Sequence, residues 1–248
     1  MEKAIVLLLI LLAMSCKEKK SLIPATDLYS NKPMNDLPIL RINTKAFTAI
    51  DNVHFKQSVG GTPIKEETVV KLKYDRLFLE IQFECRNNPR VNQNHYDKNN
   101  TALYKQEVFE VFISKGKEVQ EGYFEIEINP NNALFLARIN TAYKSDKTFN
   151  IAMLDPDKEG LVHTVEKNIT TNSWKGYIKI PLKLLGRPMP AAAVIYRLNI
   201  YRIISQVDHT EKDWENDSQT STYACWSSTL TKNPQFHVPE RFGFLIFE

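Results

Sequence analysis

Tyr104, Gln106 and Glu110, followed closely by Tyr123, Glu125, Glu127 and Asn129, gather rings, amides and carboxylates into the stretch Thr101–Pro130. Those residue types recognise sugars: flat rings stack on pyranose faces, and fixed oxygen acceptors take hydroxyl protons. Paired carboxylates can also hydrolyse glycosides when they stand about 5 Å or about 6.5–9.5 Å apart. Glu107 and Glu110 fail that test on a strand, because an odd spacing sends them to opposite faces. Glu125 and Glu127 share a face, but the Glu-x-Asp-x-x-Glu pattern of sandwich glycosidases is absent. Other catalytic constellations are missing too. The sequence has no Gly-x-Ser-x-Gly elbow, no phosphate-cradling glycine loop and no His-Glu-x-x-His. The five histidines, at 54, 95, 163, 209 and 237, are scattered singly, and no Cys-x-x-Cys offers a zinc or c-type haem site. The expectation is a protein that binds rather than catalyses.

The elements that must position these groups are strands. Short runs rich in β-branched and aromatic residues recur between Gly, Pro, Asn and Asp clusters, and long helical periodicity is absent. Strands are expected over Ala46–Ile50, Thr68–Tyr74, Leu77–Cys85, Glu107–Ser114, Tyr123–Ile128, Ala133–Ile139, Leu161–Glu166, Trp174–Pro181, Tyr196–Ile204 and Phe242–Phe247. Tyr74-Asp75-Arg76-Leu77 reads as a hairpin turn, Pro181–Leu185 as a short helical turn, and Gln206–Thr222 as a long loop of the kind that carries function. The fold class this implies is all-β, a β-sandwich with one or two short helical turns.

Period two then assigns faces. Tyr104, Gln106, Val108, Glu110 and Phe112 share one side; Tyr123, Glu125, Glu127 and Asn129 point away from Phe124, Ile126 and Ile128. Arg138 shares a face with Leu134 and Leu136, and Arg197, Asn199 and Tyr201 share another. If these strands are neighbours, aromatics, carboxylates and arginines converge on one surface, where Arg–carboxylate pairs would fix the acceptors. The alternative is a solvated face laced with ion pairs, with Glu110 merely bonded to Arg138.

The N-terminus has its own chemistry. Ala4–Met14 is almost wholly aliphatic, about 11 residues long, and too short to cross a bilayer core of about 30 Å. It suits the apolar core of a secretory signal, and Leu12-Ala13-Met14-Ser15-Cys16 resembles a lipobox with its leucine four residues before the cysteine instead of three. The expected organisation is a lipoprotein signal peptide over 1–15, lipidated Cys16 and a flexible tether over 16–38, and one domain over 39–248. Acyl chains on Cys16 would anchor the protein to the outer membrane of a cell envelope, each buried CH₂ adding about 0.8 kcal/mol. The net charge of +3 is small and spread out, which excludes a nucleic-acid surface. Cys85 and Cys225 are left either to form a disulfide or to stay as separate thiols.

Several segments in order carry a family resemblance: Asp51-Asn52-Val53, Glu67–Asp75, Leu77-Phe78-Leu79, Gln106–Phe112, Tyr123–Pro130, Arg197–Arg202 and the block Phe236-His237-Val238-Pro239-Glu240-Arg241-Phe242-Gly243-Phe244. Together they resemble the family 9 carbohydrate-binding module, and more closely the stand-alone family 9-like lipoproteins of Bacteroidetes, from about residue 40 to 248. The resemblance implies a DOMON-like sandwich, non-catalytic binding of a glycan or oligosaccharide between two aromatic rings, and a structural calcium ion. It places the stacking rings at Tyr104 and Trp226 and the polar contacts at Glu110, Arg138, Gln106 and Tyr201; an alternative role is that of a protein-interaction component in an envelope glycan-utilisation complex. Tyr104 stands where the family usually has tryptophan, and Leu136 where an acidic residue is common. DOMON relatives also include haem-binding electron-transfer modules, for which Met153, His163 and Met189 are the available axial ligands.

Overall fold

The computed structural model describes residues 36–119, 122–140, 150–186 and 193–248. The expected signal peptide, Cys16 and most of the tether lie outside the described residues. Among the described residues fourteen strands follow in chain order: β1 Ile39–Ile42, β2 Thr48–Ala49, β3 His54–Gln57, β4 Pro63–Tyr74, β5 Phe78–Cys85, β6 Val108–Lys115, β7 Gly122–Ile128, β8 Leu134–Asn140, β9 Asn150–Met153, β10 Val162–Asn168, β11 Ser173–Pro181, β12 Val194–Ser205, β13 Ser221–Cys225 and β14 Gly243–Phe247. All ten expected strands are present. The helical turn expected at Pro181–Leu185 is a pair of hydrogen-bonded turns instead, closed by Leu184 N–H on the Pro181 carbonyl and Gly186 N–H on Lys183. The α-helical turn is α1, Pro156–Glu159, where Asp155 caps the N-terminus and Gly160 closes the C-terminus in the left-handed region.

The strands form two layers. In the first sheet the order is β10–β11–β5–β4, with β2 also on β4. The second runs β9–β8–β7–β6–β12–β13–β3, with β14 and then β1 beside the first half of β12. Strand β4 links the layers: Pro63–Glu67 pairs with β3, and Thr68–Tyr74 pairs with β5. The Asp75 side chain sets the β4–β5 hairpin by accepting from the amides of Leu77 and Phe78. Between the sheets lies one apolar core, with Val70, Leu72, Ile81, Phe83 and Ile178 facing Phe109, Val111, Ile126, Leu136 and Ile200. Burying each such side chain stabilises the fold by about 1.5–3 kcal/mol. Cys85 and Cys225 are separate buried thiols, each pushed up to about 12 by burial.

Two polar devices bear on the site. Strand β12 forks, pairing with β14 over Val194–Leu198 and with β13 over Tyr201–Ser205. Asn199 holds the fork open: its amide group donates to the Ser227 carbonyl at 2.8 Å and accepts from the Ser227 amide at 2.9 Å. At the other end of the core, Arg202 reaches across the sandwich to the carbonyls of Glu67 and Arg86 at 3.1 and 3.3 Å, and it meets Glu107 at 3.5 Å. Glu107 therefore serves the interior while Glu110 serves the outer face, as an odd spacing dictates.

Candidate functional site

The outer face of the second sheet is covered, and this is where the polar residues of Thr101–Pro130 lie. Glu110 sits in register with Glu127 on one side and Tyr201 on the other; Phe112 is flanked in the same way by Glu125 and Asn199. Glu110, Glu125 and Glu127 are 1%, 2% and 0% exposed. Each places a carboxylate oxygen within 4.8 Å of the others. Hard oxygen donors of this kind suit calcium chemistry rather than zinc.

Three segments wall the cluster. A 3-10 turn, Leu103–Lys105, plugs Leu103 into the outer apolar layer and leaves Tyr104 half-buried at the rim. The Tyr104 amide donates to Glu127 at 2.9 Å, locking the turn onto the carboxylate floor. The long loop after β12 forms the second wall. Asn216 fastens it, donating its amide N–H to the Lys105 carbonyl at 2.7 Å and its side-chain Nδ2 to the carbonyls of Tyr104 at 3.1 Å and Gln106 at 2.5 Å. Lys105 adds an ion pair to Glu215 at 2.8 Å. The third wall is Pro234–His237. Its Phe236 stacks on Tyr201 with centroids 4.2 Å apart, and the Tyr201 hydroxyl donates to the Phe236 carbonyl at 2.8 Å. Tyr223, on β13, meets Phe236 edge-on at 5.9 Å. Between the walls is a cleft of about 300 Å³, with Glu110, Glu125 and His237 in its floor and Tyr104, Tyr223 and Phe236 at its sides.

The electrostatics follow from burial. Tyr223 is pushed up to about 12, by desolvation first and then by the carboxylates of Asp217 and Glu110. It stays a neutral phenol that both donates and accepts. Tyr201 is raised well above the ordinary tyrosine value for the same first reason. His237 bridges the floor, with Nδ1 2.6 Å from the Tyr123 hydroxyl and Nε2 3.9 Å from Glu125.

The structure brings only some of the expected residues together. Tyr104 and Glu110 both line the cleft. Gln106 is fully buried behind it, accepting from the His95 amide and donating to the carbonyls of Lys212 and Trp214. Tyr201 lies beneath Phe236. Arg138 does not meet Glu110: it stands opposite Phe124, on the face of Leu134 and Leu136, and is exposed. Trp226 does not face Tyr104 either. It is packed in the inter-sheet core, with Nε1 donating to Asp51 at 3.2 Å. The ring across from Tyr104 is Tyr223, whose signal was parity: Tyr223 and Cys225 pack in the outer apolar layer and Ala224 between them in the inter-sheet core, so Trp226, one step further, turns inward. Phe236 and Asn216 sit in irregular segments where no periodicity announces them. Of the suggested haem ligands, Met153 and His163 lie on edge strands of different sheets, and Met189 lies outside the described residues.

No family model matches the chain. A protein of Arthroderma benhamiae, named only as an extracellular protein, is 24% identical over 214 residues, spanning 85% of this chain and 90% of its own length. Among solved structures, a Bacteroides uniformis protein to which carbohydrate binding is ascribed superposes with a TM-score of 0.61 at 15% identity, covering 86% of this chain and 100% of the other. A family 9 carbohydrate-binding module from Caldicellulosiruptor kristjanssonii, solved with cellotriose, gives 0.51 at 12% identity over 85% and 93% of the two chains. A family 9 module from the same organism, solved with glucose, gives 0.50 at 13% over 85% and 95%. At these identities the likeness establishes the fold, a β-sandwich like that of family 9 carbohydrate-binding modules.

Proposed function

We propose that the chain is a non-catalytic carbohydrate-binding protein that takes one sugar unit into the cleft between Tyr104 and Tyr223. The observation that carries this reading is the pairing of aromatic side walls with a floor of buried carboxylates. The rings would stack on the sugar's apolar face. Glu110 and Glu125 would accept hydroxyl protons, and the neutral Tyr223 phenol would donate or accept at the rim. His237 would orient Glu125 through its contact with Tyr123. The shared fold of modules solved with cellotriose and glucose supports this choice of ligand class. A calcium ion, where one binds, would be held by the oxygens of Glu110, Glu125 and Glu127.

One shallow site of this size predicts a Kd in the micromolar to millimolar range, about −4 to −8 kcal/mol. Isothermal titration with glucose, cellotriose and a panel of other saccharides, with and without calcium, tests it. Absence of binding to every saccharide under both conditions removes the hypothesis.

The protein is proposed to be exported and held at the outer membrane of the cell envelope by lipid on Cys16, with 16–38 as a tether and glycan-processing proteins as neighbours. The aliphatic run before Cys16 supports this, and the extracellular name of the Arthroderma relative supports export. Metabolic labelling with a fatty acid should mark the wild-type chain and not Cys16→Ser; equal labelling of both would sink the anchor.

A further inference from the structure

The first sheet also has an outer face, and it is not a flat solvated surface. Across β4, β5, β11 and β10 a groove of about 350 Å³ is lined by Lys71, Gln82, Glu84, Thr164, Glu166 and Tyr177 among others. It runs into a second hollow of about 500 Å³, with which it shares Glu84, Glu166 and Lys175.

Several of its polar groups have partners. The Tyr177 hydroxyl donates to Glu80, a carboxylate only 5% exposed that also meets Lys73 at 3.5 Å. The ring is thereby fixed on the sheet surface. Glu84 is fixed by Arg86 at 2.9 Å, which also reaches Glu67 at 3.0 Å, and Glu166 by Lys175 at 2.9 Å. In the groove the charges balance, two lysines (71 and 175) against two glutamates (84 and 166). That balance disfavours a polyanion such as nucleic acid. Apart from the Tyr177 ring, no lining residue is a large exposed hydrophobic, so the groove offers little of the apolar area that a protein interface buries. What fits a fixed ring, a free amide at Gln82, a hydroxyl at Thr164 and two glutamates already paired to Arg86 and Lys175 is a neutral polyol chain.

We propose that this groove is a second saccharide-binding face, on the opposite side of the sandwich from the Tyr104–Tyr223 cleft. It would take a short run of an oligosaccharide lengthwise across the strands, where the cleft takes one unit. Two faces of this kind would let one molecule hold two glycan strands, and avidity would then exceed either single affinity. The inference rests on the saccharide reading of the chain, but its own site is separate.

The test follows backbone amide NMR shifts during titration with cellotriose, xylotriose and maltotriose. For at least one probe, wild type should show two groups of perturbed amides, one around 104, 110 and 223 and one around 82, 164, 175 and 177. Tyr104→Ala with Tyr223→Ala should keep the second group, and Gln82→Ala with Tyr177→Ala should lose it. Gln82→Ala alone, at an exposed position, should weaken it severalfold with an unchanged melting temperature. Shifts confined to the cleft with all three probes would overturn the groove and leave the cleft reading standing. No shifts at either place would overturn both.

Discussion

Tyr104 and Trp226 stand on opposite faces of one sheet. Tyr104 rims the outer cleft, whereas Trp226 packs among the inter-sheet core and donates to Asp51. Substitution should separate the two. Tyr104→Ala is expected to weaken the proposed saccharide binding about tenfold, about 1.4 kcal/mol, with little change in stability. Trp226→Phe should leave affinity unchanged and lower stability by about 0.5–1.5 kcal/mol for the lost hydrogen bond, plus the apolar area the smaller ring no longer buries. Titration calorimetry and urea unfolding on both variants check this. A Trp226→Phe variant with wild-type stability and reduced affinity would restore Trp226 to the site.

In the proposed site Tyr223 takes the place that the sequence suggested for Trp226. Tyr223→Ala should cost binding as much as Tyr104→Ala, and Tyr223→Phe should cost less, because the ring remains. Its phenol is pushed up to about 12, so it stays protonated where an ordinary tyrosine, near 10, ionises. Absorbance titration of wild type against Tyr223→Phe should accordingly show one fewer tyrosine titrating late, near pH 12, and no difference near pH 10. A difference already present at pH 10 would place Tyr223 in a wetter setting than the cleft provides.

Much of the sandwich was legible because strand chemistry is local. Alternation in Thr68–Tyr74 and Tyr123–Ile128 marks one face as core, and an odd spacing already separated Glu107 from Glu110. What escaped was long-range. Arg138 obeys its parity, yet parity within β8 cannot say that this face turns away from Glu110. The strands β1, β3, β9 and β13 are short, and β3 is held largely by its neighbours rather than by its own pattern. The third wall of the cleft, Pro234–His237, has no repeating structure at all. Its placement comes from tertiary bonds such as that of the Tyr201 hydroxyl to the Phe236 carbonyl.

Gly243 opens β14 where the backbone and Trp226 leave no room. A Cβ there would lie 2.6 Å from the Pro38 carbonyl oxygen and 2.8 Å from the Trp226 ring. Gly243→Ala should therefore destabilise the fold at the upper end of the usual overpacking cost of about 1–3 kcal/mol, since a carbonyl cannot rotate aside as a side chain can. Pairing it with Trp226→Phe should recover part of the loss by freeing the ring side of the clash. Unfolding midpoints of the two singles and the double decide it; strict additivity would show that the two positions do not compete for space.

Glu107 gives the fold a pH dependence whose sign is fixed by burial. Desolvation raises its pKa above the ordinary 4.5, and the facing Arg202 offsets only part of that. The unfolded chain thus releases the proton near 4.5, while the native chain keeps it to higher pH. Between those values the native state binds more protons, so this contribution is complete below about 4.5 and is lost as pH rises through the native value. Every tenfold by which the native carboxylate holds its proton more tightly is worth about 1.4 kcal/mol. Glu107→Gln cannot ionise and lacks this slope. The variant should still fold, because Arg202 keeps its bonds to the carbonyls of Glu67 and Arg86 and to Thr68. Urea unfolding in steps from pH 4 upward should show wild type losing stability relative to Glu107→Gln as pH rises, with the other carboxylates cancelling in the difference. Curves that stay parallel would mean that Arg202 fully compensates the buried charge.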